Sequence, residues 1–167
     1  MTAPPPEFSR PLALDRVGAA VFEAEVTATP EECAALALRL GIPALCGFSC
    51  RFRLRRGDAG RIAAEAELRA QMVRECVVSL DDFETEQIEA FRVAFVPAGA
   101  ETDDADPESD DEIGYTGAAV DLGEAAAEQL ALSLDPYPHK PGASLPPEAR
   151  EPLESPFAAL ARPRGRS

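Results

Sequence analysis

The stretch C-G-F-S-C-R-F-R-L-R-R-G-D-A-G-R-I-A-A-E-A-E-L-R-A, Cys46 to Ala70, decides the fold of this chain. Apolar residues occupy every second position on both sides of the turn signal R-R-G-D-A-G: Phe48, Cys50, Phe52 and Leu54 before it, and Ile62, Ala64, Ala66, Leu68 and Ala70 after it. A period of two is typical of a strand that buries one face. The stretch therefore predicts a β-hairpin with one side against the core.

A helix is predicted immediately before this hairpin, over T-P-E-E-C-A-A-L-A-L-R-L-G. Thr29 is a candidate N-cap, Pro30 fits the first helical position, and Glu32 completes a capping box. Gly41 suits the left-handed exit of a helix.

Further strands are predicted on both sides, over Phe8–Leu14, Val21–Ala28 and Glu86–Val96, with Met72–Leu80 either extending the hairpin or forming a separate strand. Within that last segment, Cys76, Val78 and Leu80 are expected to alternate inward. A second helix should begin at Asp121 as N-cap, with Glu124 at the capping-box position. Its apolar stripe could cover the open face of the sheet, and consists of Leu122, Ala126, Leu130 and Leu134.

Together these elements predict a single α+β domain with two main helices and a curved, mostly antiparallel sheet of five or six strands, with a barrel-like sheet as the alternative. Residues 1–7 should be a disordered lead, 8–140 the domain, and 141–167 a tail rich in proline and arginine. An acidic loop is predicted over 100–113, because Glu101–Glu112 holds eight carboxylates and no base.

The charge of the chain limits its partners. Its 30 acidic and 16 basic residues give a net charge of -14, which argues against indiscriminate binding to phosphate backbones. DNA is therefore not expected as a partner. The N-terminus lacks the pattern of an export signal and no window is apolar enough to span a membrane, so we expect a cytoplasmic protein with reduced thiols and no membrane contact.

Zinc is the first chemical alternative, since cysteine and histidine are the ligands it prefers. The available residues are Cys46, Cys50, Cys76 and His139. C-G-F-S-C places three residues between its thiols where zinc knuckles usually have two, and Cys50 already belongs to an apolar strand face. Burial in the core is the better interpretation, so no metal is predicted.

Catalysis finds no support in the sequence. The only histidine, His139, lies in a proline-rich segment that is a poor place to hold a base against Cys76 or Ser79. Asp81 and Asp82 are typical turn residues, and neither common phosphate-binding glycine motif is present. The sequence predicts no enzyme, no catalytic residue and no cofactor.

Four arginines are the candidate RNA-binding residues: Arg51, Arg53, Arg55 and Arg56. Because the first three occupy alternate positions, they should lie on one face of one strand, where guanidinium groups could follow a phosphate backbone. Cross-strand pairing with Glu65 and Glu67 is the other interpretation.

The ordered set C-V-V-S-L-D-D-F-E, F-R-V-A-F-V-P, an acidic gap, D-L-G-E-A-A-A-E-Q-L-A-L-S-L-D-P-Y-P and P-F-A-A-L-A resembles the YceD family of bacterial large ribosomal RNA accumulation proteins over roughly residues 8–162. The carried-over positions are Cys76, Leu80, Phe83, Asp121, Leu122, Gly123, Pro136 and Pro138. Some relatives carry a cysteine cluster near the proline segment, and this chain does not. Its tail is similar to that of the alphaproteobacterial branch.

The resemblance implies a ribosome biogenesis role in the accumulation or processing of 23S ribosomal RNA. The partner would be pre-ribosomal RNA or a large-subunit ribosomal protein. The alternative is an acidic interaction module, or chaperone, that holds a basic partner without touching RNA.

Overall fold

A five-stranded sheet is the framework of the computed structural model, which describes residues 6–101 and 110–144. The strands are β1 (Pro11–Ala13), β2 (Phe22–Thr27), β3 (Ala44–Arg56), β4 (Ile62–Glu75), β5 (Asp82–Pro97), β6 (Asp111–Tyr115) and β7 (Ala119–Asp121). The helices are α1 (Pro30–Leu40) and α2 (Leu122–Ser133). The main sheet has the order β2-β3-β4-β5-β6 and is antiparallel except between β5 and β6, while β1 and β7 form a separate antiparallel pair.

The predicted hairpin is formed by β3 and β4. Phe52 lies opposite Ala66 and Leu54 opposite Ala64, so the apolar sides of both strands face the same way. Every second residue of β4 from Ile62 to Met72 is buried, and the residues between them lie outside. An irregularity in the pairing between Leu45 and Gly47 leaves Cys46 unpaired as a bulge.

Helix α1 has the predicted ends. The Thr29 side chain accepts a hydrogen bond from the Glu32 N–H at 3.3 Å, and the Glu32 carboxylate accepts one from the Thr29 N–H at 2.8 Å. Gly41 ends the helix at φ +64°. Because Glu32 also binds the Arg10 guanidinium at 2.7 Å, the cap ties the helix to the N-terminal segment.

The main core lies on one face of the main sheet. Both helices and β1 contribute buried side chains to it, including Leu36, Leu130 and Leu12. The predicted stripe of α2 belongs to this core, with Leu122, Ala126 and Leu130 buried and Leu134 partly buried. The described residues form an open sheet and no closed barrel, so the fold is the predicted α+β class without the barrel-like alternative.

Several strand boundaries differ from the sequence-based ones. β1 is shorter than Phe8–Leu14, β4 ends at Glu75, and β5 begins already at Asp82. The predicted acidic loop is also too long at its C-terminal end, because 111–113 belong to β6; residues 102–109 of it lie outside the described residues. β6 pairs with β5 in parallel, and ion pairs also join Asp110 to Arg92, at 3.4 Å, and Glu112 to Arg61. The predicted lead and tail fall largely outside the described residues.

Asp121 is the N-cap of α2 and also holds the N-terminal segment. Its carboxylate accepts hydrogen bonds from the N–H groups of Gly123 at 3.0 Å and Glu124 at 3.1 Å, and from the Arg10 N–H at 2.8 Å. The Ser9 hydroxyl donates to its other oxygen. The Glu124 side chain binds Arg39 at 2.8 Å, in place of the expected capping-box contact.

Gly123 should be intolerant of a side chain. A Cβ there would lie 2.5 Å from the Phe8 carbonyl oxygen and 2.9 Å from the Arg10 nitrogen, and both are backbone atoms that cannot rotate away. We expect Gly123→Ala to lower the free energy of unfolding by about 1–3 kcal/mol in a urea titration. Gly18→Ala is the matched control, since no atom lies within 4 Å of its Cβ position; equal losses in both variants would contradict the close contact.

Candidate interaction surface

The solvent-facing side of the sheet carries a ladder of alternating charges. Glu23, Arg53, Glu65 and Arg92 lie opposite one another on four successive strands. Arg53 is 3.6 Å from Glu23 and 3.7 Å from Glu65, and Arg92 is 3.4 Å from Asp110. Each arginine of this row therefore has a carboxylate on both sides.

The neighbouring row repeats the arrangement with Arg51, which lies between Glu25 and Glu67 in register and is 3.5 Å from the Glu25 carboxylate. Glu67 binds Arg69 at 3.2 Å. Such exposed pairs contribute little to stability, but they do bring the local charge close to zero.

The candidate RNA-binding arginines therefore divide into two groups. Arg51 and Arg53 have the cross-strand carboxylate neighbours that the ion-pair interpretation expects. Arg55 lies opposite Ala63, and the Arg56 guanidinium donates to the backbone oxygen of Leu14. RNA contact by this row stays a prediction, on a face whose positive charge is largely balanced.

The β4–β5 turn is where two separated parts of the sequence motif meet. The Val77 N–H donates to the Pro138 carbonyl oxygen at 3.0 Å, and Lys140 lies 3.4 Å from the Asp81 carboxylate. Near the end of β4, just before the turn, the Arg74 guanidinium donates to the Asp135 carbonyl oxygen at 2.6 Å. The segment after α2 is thereby fastened along the end of the β4–β5 hairpin.

Cys76 lies beneath this contact with its side chain fully buried. Its sulfur accepts hydrogen bonds from the Lys140 N–H, from the Ser79 hydroxyl and N–H, and from the Val78 N–H. Burial alone would raise the pKa of the thiol, but these donors favour the thiolate and lower the pKa to about 6, with the Lys140 N–H as the largest cause.

The prediction that the Leu80 side chain points inward is wrong. Its N–H donates to the Cys76 carbonyl oxygen at 2.8 Å, which closes a tight turn and places Leu80 in the left-handed region at φ +59°. The side chain is 71% exposed as a result. Phe83, the next motif residue, is partly buried where β5 begins.

The four zinc-type residues are spread over three parts of the fold, and of them Cys76 and His139 share one, the β4–β5 turn. Cys50 is buried on the inner sheet face, where burial raises the pKa of its thiol to about 12, whereas Cys46 is exposed on the bulge. His139 is exposed beside the β4–β5 turn. In the part of the chain that the structure describes, no three histidine, cysteine or acidic side chains form a group that could hold a metal ion.

The first half of β5 combines a free strand edge with unpaired acidic residues. β6 pairs only with Val93–Pro97, so residues 82–92 have no strand neighbour on that side within 6–101 and 110–144. Among the same residues, no cation lies within ion-pair distance of four exposed carboxylates: Asp82, Glu84, Glu86 and Glu89. Sequence reasoning missed this edge, although D-D-F-E-T-E-Q-I-E shows the alternating acids that mark it.

These features define an α+β protein with two charged surface features: a neutralised charge ladder and an acidic strand edge. A family model described as large ribosomal RNA subunit accumulation protein YceD matches residues 64–161, more than half of the chain. The chain belongs to the YceD family. No curated protein and no solved structure matches it.

The matched range contains all eight motif positions carried over from the resemblance, and it also contains the whole of β5. Several of these positions have a structural role in the fold: Asp121 caps α2, Gly123 allows the close approach of Phe8, and Pro138 accepts the hydrogen bond from Val77. Arg51–Arg56 lie before the match begins. No described helix is long and apolar enough to cross a membrane.

The lowered pKa of Cys76 makes a pH-dependent contribution to stability. The thiol of an unfolded chain has a pKa of about 8.5, so the folded thiolate stabilises the protein fully above that pH, and this stabilisation is lost as the pH falls to about 6. We therefore expect the destabilisation caused by Cys76→Ala, measured by urea unfolding, to grow from pH 6 to pH 8.5.

Cys50→Ala is the matched control for this experiment. Its thiol has a pKa near 12 and stays protonated in the folded state over the same window, so the destabilisation caused by its removal should be much flatter below pH 8.5. Parallel pH profiles for the two variants would show that the Cys76 hydrogen bonds do not favour the thiolate.

Proposed function

We propose that this protein is a ribosome biogenesis factor that supports the accumulation of large-subunit 23S ribosomal RNA and acts by binding a partner, without catalysing a reaction. The family match carries the proposal, because the family is described as a large ribosomal RNA subunit accumulation protein. The exposed features of the fold support a binding role, since they are a charged sheet face and a strand edge.

A basic ribosomal protein is the better supported direct partner. The net charge of -14 opposes the approach of RNA phosphates and attracts lysine- and arginine-rich proteins. The charge is also unevenly placed, because the arginine-rich part of the sheet is balanced by glutamates while the β5 edge is not. Contact with pre-ribosomal RNA is the other form of the proposal.

The biological role can be tested by deleting the gene in the source organism. We expect the ratio of 23S to 16S ribosomal RNA to fall, together with the amount of large subunit in a sucrose gradient, and a plasmid copy of the gene should restore both. Unchanged ratios and gradients would overturn the proposal. Crosslinking of the plasmid-borne protein in cells would show whether its first contact is a basic protein or RNA.

The arginine row can be tested in the same strain with Arg51→Ser, Arg53→Ser and Arg55→Ser combined. Since Arg51 and Arg53 already have carboxylate neighbours, we expect this variant to restore 23S RNA as well as the wild type does. The corresponding triple lysine variant, which keeps the charge, is the control.

A folded serine variant that fails, while the lysine variant succeeds, would favour the RNA form of the proposal. In that case its binding to RNA should also depend less steeply on salt than that of the wild type, because fewer phosphate contacts release fewer counterions.

A further inference from the structure

We propose that the free edge of β5, residues 82–92, binds an extended lysine- and arginine-rich segment of a partner protein as an added strand. This inference deepens the proposed function in its protein-binding form and rests on it. The edge is that side of β5 which faces away from β4 and lies beyond the reach of β6.

The backbone is prepared for such an addition. β5 is paired with β4 over the whole of Asp82–Phe95, which holds it extended, while its other side meets β6 only from Val93 onward. Alternate N–H and C=O groups along 82–92 therefore point away from the sheet without a strand partner among the described residues. An extended peptide satisfies such groups by forming the next ladder.

The side chains select a basic partner. Asp82, Glu84 and Glu86 occupy alternate positions, so their carboxylates lie along the solvent-facing side of the sheet next to the edge. Glu89 adds a fourth exposed carboxylate on the other side. A strand with lysine or arginine at alternate positions would place opposite charges directly across from these acids.

The same charges disfavour a second copy of this chain. Two β5 edges brought together would set the carboxylates of one copy close to those of the other, which is destabilising. The opposite edge of the sheet, β2, is a less suitable site because it has six residues, and its two glutamates already lie beside Arg51 and Arg53. The lysine and arginine side chains of a partner are therefore attracted to the β5 edge rather than to the β2 edge.

Ile88 adds an apolar anchor to the surface. Its side chain is 49% exposed, and it lies between the acidic half of the edge and Arg92. Below it, the Gln87 amide donates to the Ser133 carbonyl oxygen at 2.9 Å, so the C-terminus of α2 supports the strand from the core side. The edge is thus rigid before any partner binds, and little order has to be gained on binding.

The binding mode can be tested with the full chain and a peptide of alternating lysine and threonine, about as long as the free edge and blocked at both ends. The comparison peptide is methylated on every backbone nitrogen, which keeps its charge but removes its hydrogen-bond donors. We expect the unmodified peptide to bind roughly tenfold or more tightly than the methylated one. Equal affinities would overturn strand addition and leave only charge attraction.

Amide exchange measured by NMR locates the site on the chain. Alternate amides within 82–92 should exchange rapidly in the free protein and become protected with the unmodified peptide. Protection of these amides before the peptide is added would show that another part of this chain already occupies the edge. Protection that appears only elsewhere would also contradict the proposal.

Charge variants test the selection for a basic partner. Glu84→Gln, Glu86→Gln and Glu89→Gln combined should weaken peptide binding roughly tenfold. Glu23→Gln, Glu25→Gln and Glu65→Gln remove the same charge from the ladder and should weaken it little. Equal weakening by the two triple variants, both checked for wild-type unfolding, would contradict the assignment to β5.

The two triple variants also separate this inference from the proposed function. In the deletion strain, the β5 variant should restore less 23S RNA than the ladder variant. If the wild type and the β5 variant restore it equally, the inference fails while the function stands. If deletion leaves 23S RNA unchanged, the proposed function fails, and the peptide measurements still decide whether the edge binds basic strands.

Discussion

The rest of the structure depends on the burial of one face of the long β3–β4–β5 sheet. β4 is its central strand, and the strict alternation from Ile62 to Met72 commits one side of the sheet to the core. A shift of a single residue in the pairing of β3 with β4 would turn the apolar side chains to water and the charged ones inward. The hairpin register is therefore fixed strongly, and the helices can cover only the apolar side.

The outer face follows from the same constraint. Once the apolar residues of β2, β3 and β4 are turned inward, their remaining positions must lie together on the solvent side. Arg53 then falls between Glu23 and Glu65 because the register leaves it no other neighbours. The charge ladder is thus a consequence of the strand pairing, and it satisfies the arginines without a ligand. This is the physical reason why an arginine row in the sequence is weak support for RNA binding.

Local signals made much of the fold predictable, and contacts between distant segments account for what was missed. The α1 cap and the β3–β4 hairpin are encoded within a few consecutive residues each, so both are recognisable in the sequence. β6 depends on its pairing with β5 and on the hydrogen bond from the Tyr115 hydroxyl to the Gly60 carbonyl oxygen, contacts that join residues far apart in the chain. Leu80 was misplaced because its apolar character suggested continued alternation, whereas a tight turn at Cys76 had already ended the strand.

The candidate site was predictable only in part, for a related reason. The acids of β5 are visible in the sequence, but their meaning depends on whether a neighbouring strand or cation covers them. β2 and β4 carry acids at the same spacing, and there β3 supplies arginines across from them. Beside Glu84 and Glu86 the described sheet ends. The glutamates of β2 and β4 are neutralised by arginines of β3, whereas the carboxylates of the β5 edge remain available to a cation from outside the sheet. Under the proposal above, this arrangement suits a basic partner that is held and then released, because strand pairing is reversible and the attraction between opposite charges weakens as competing charges approach.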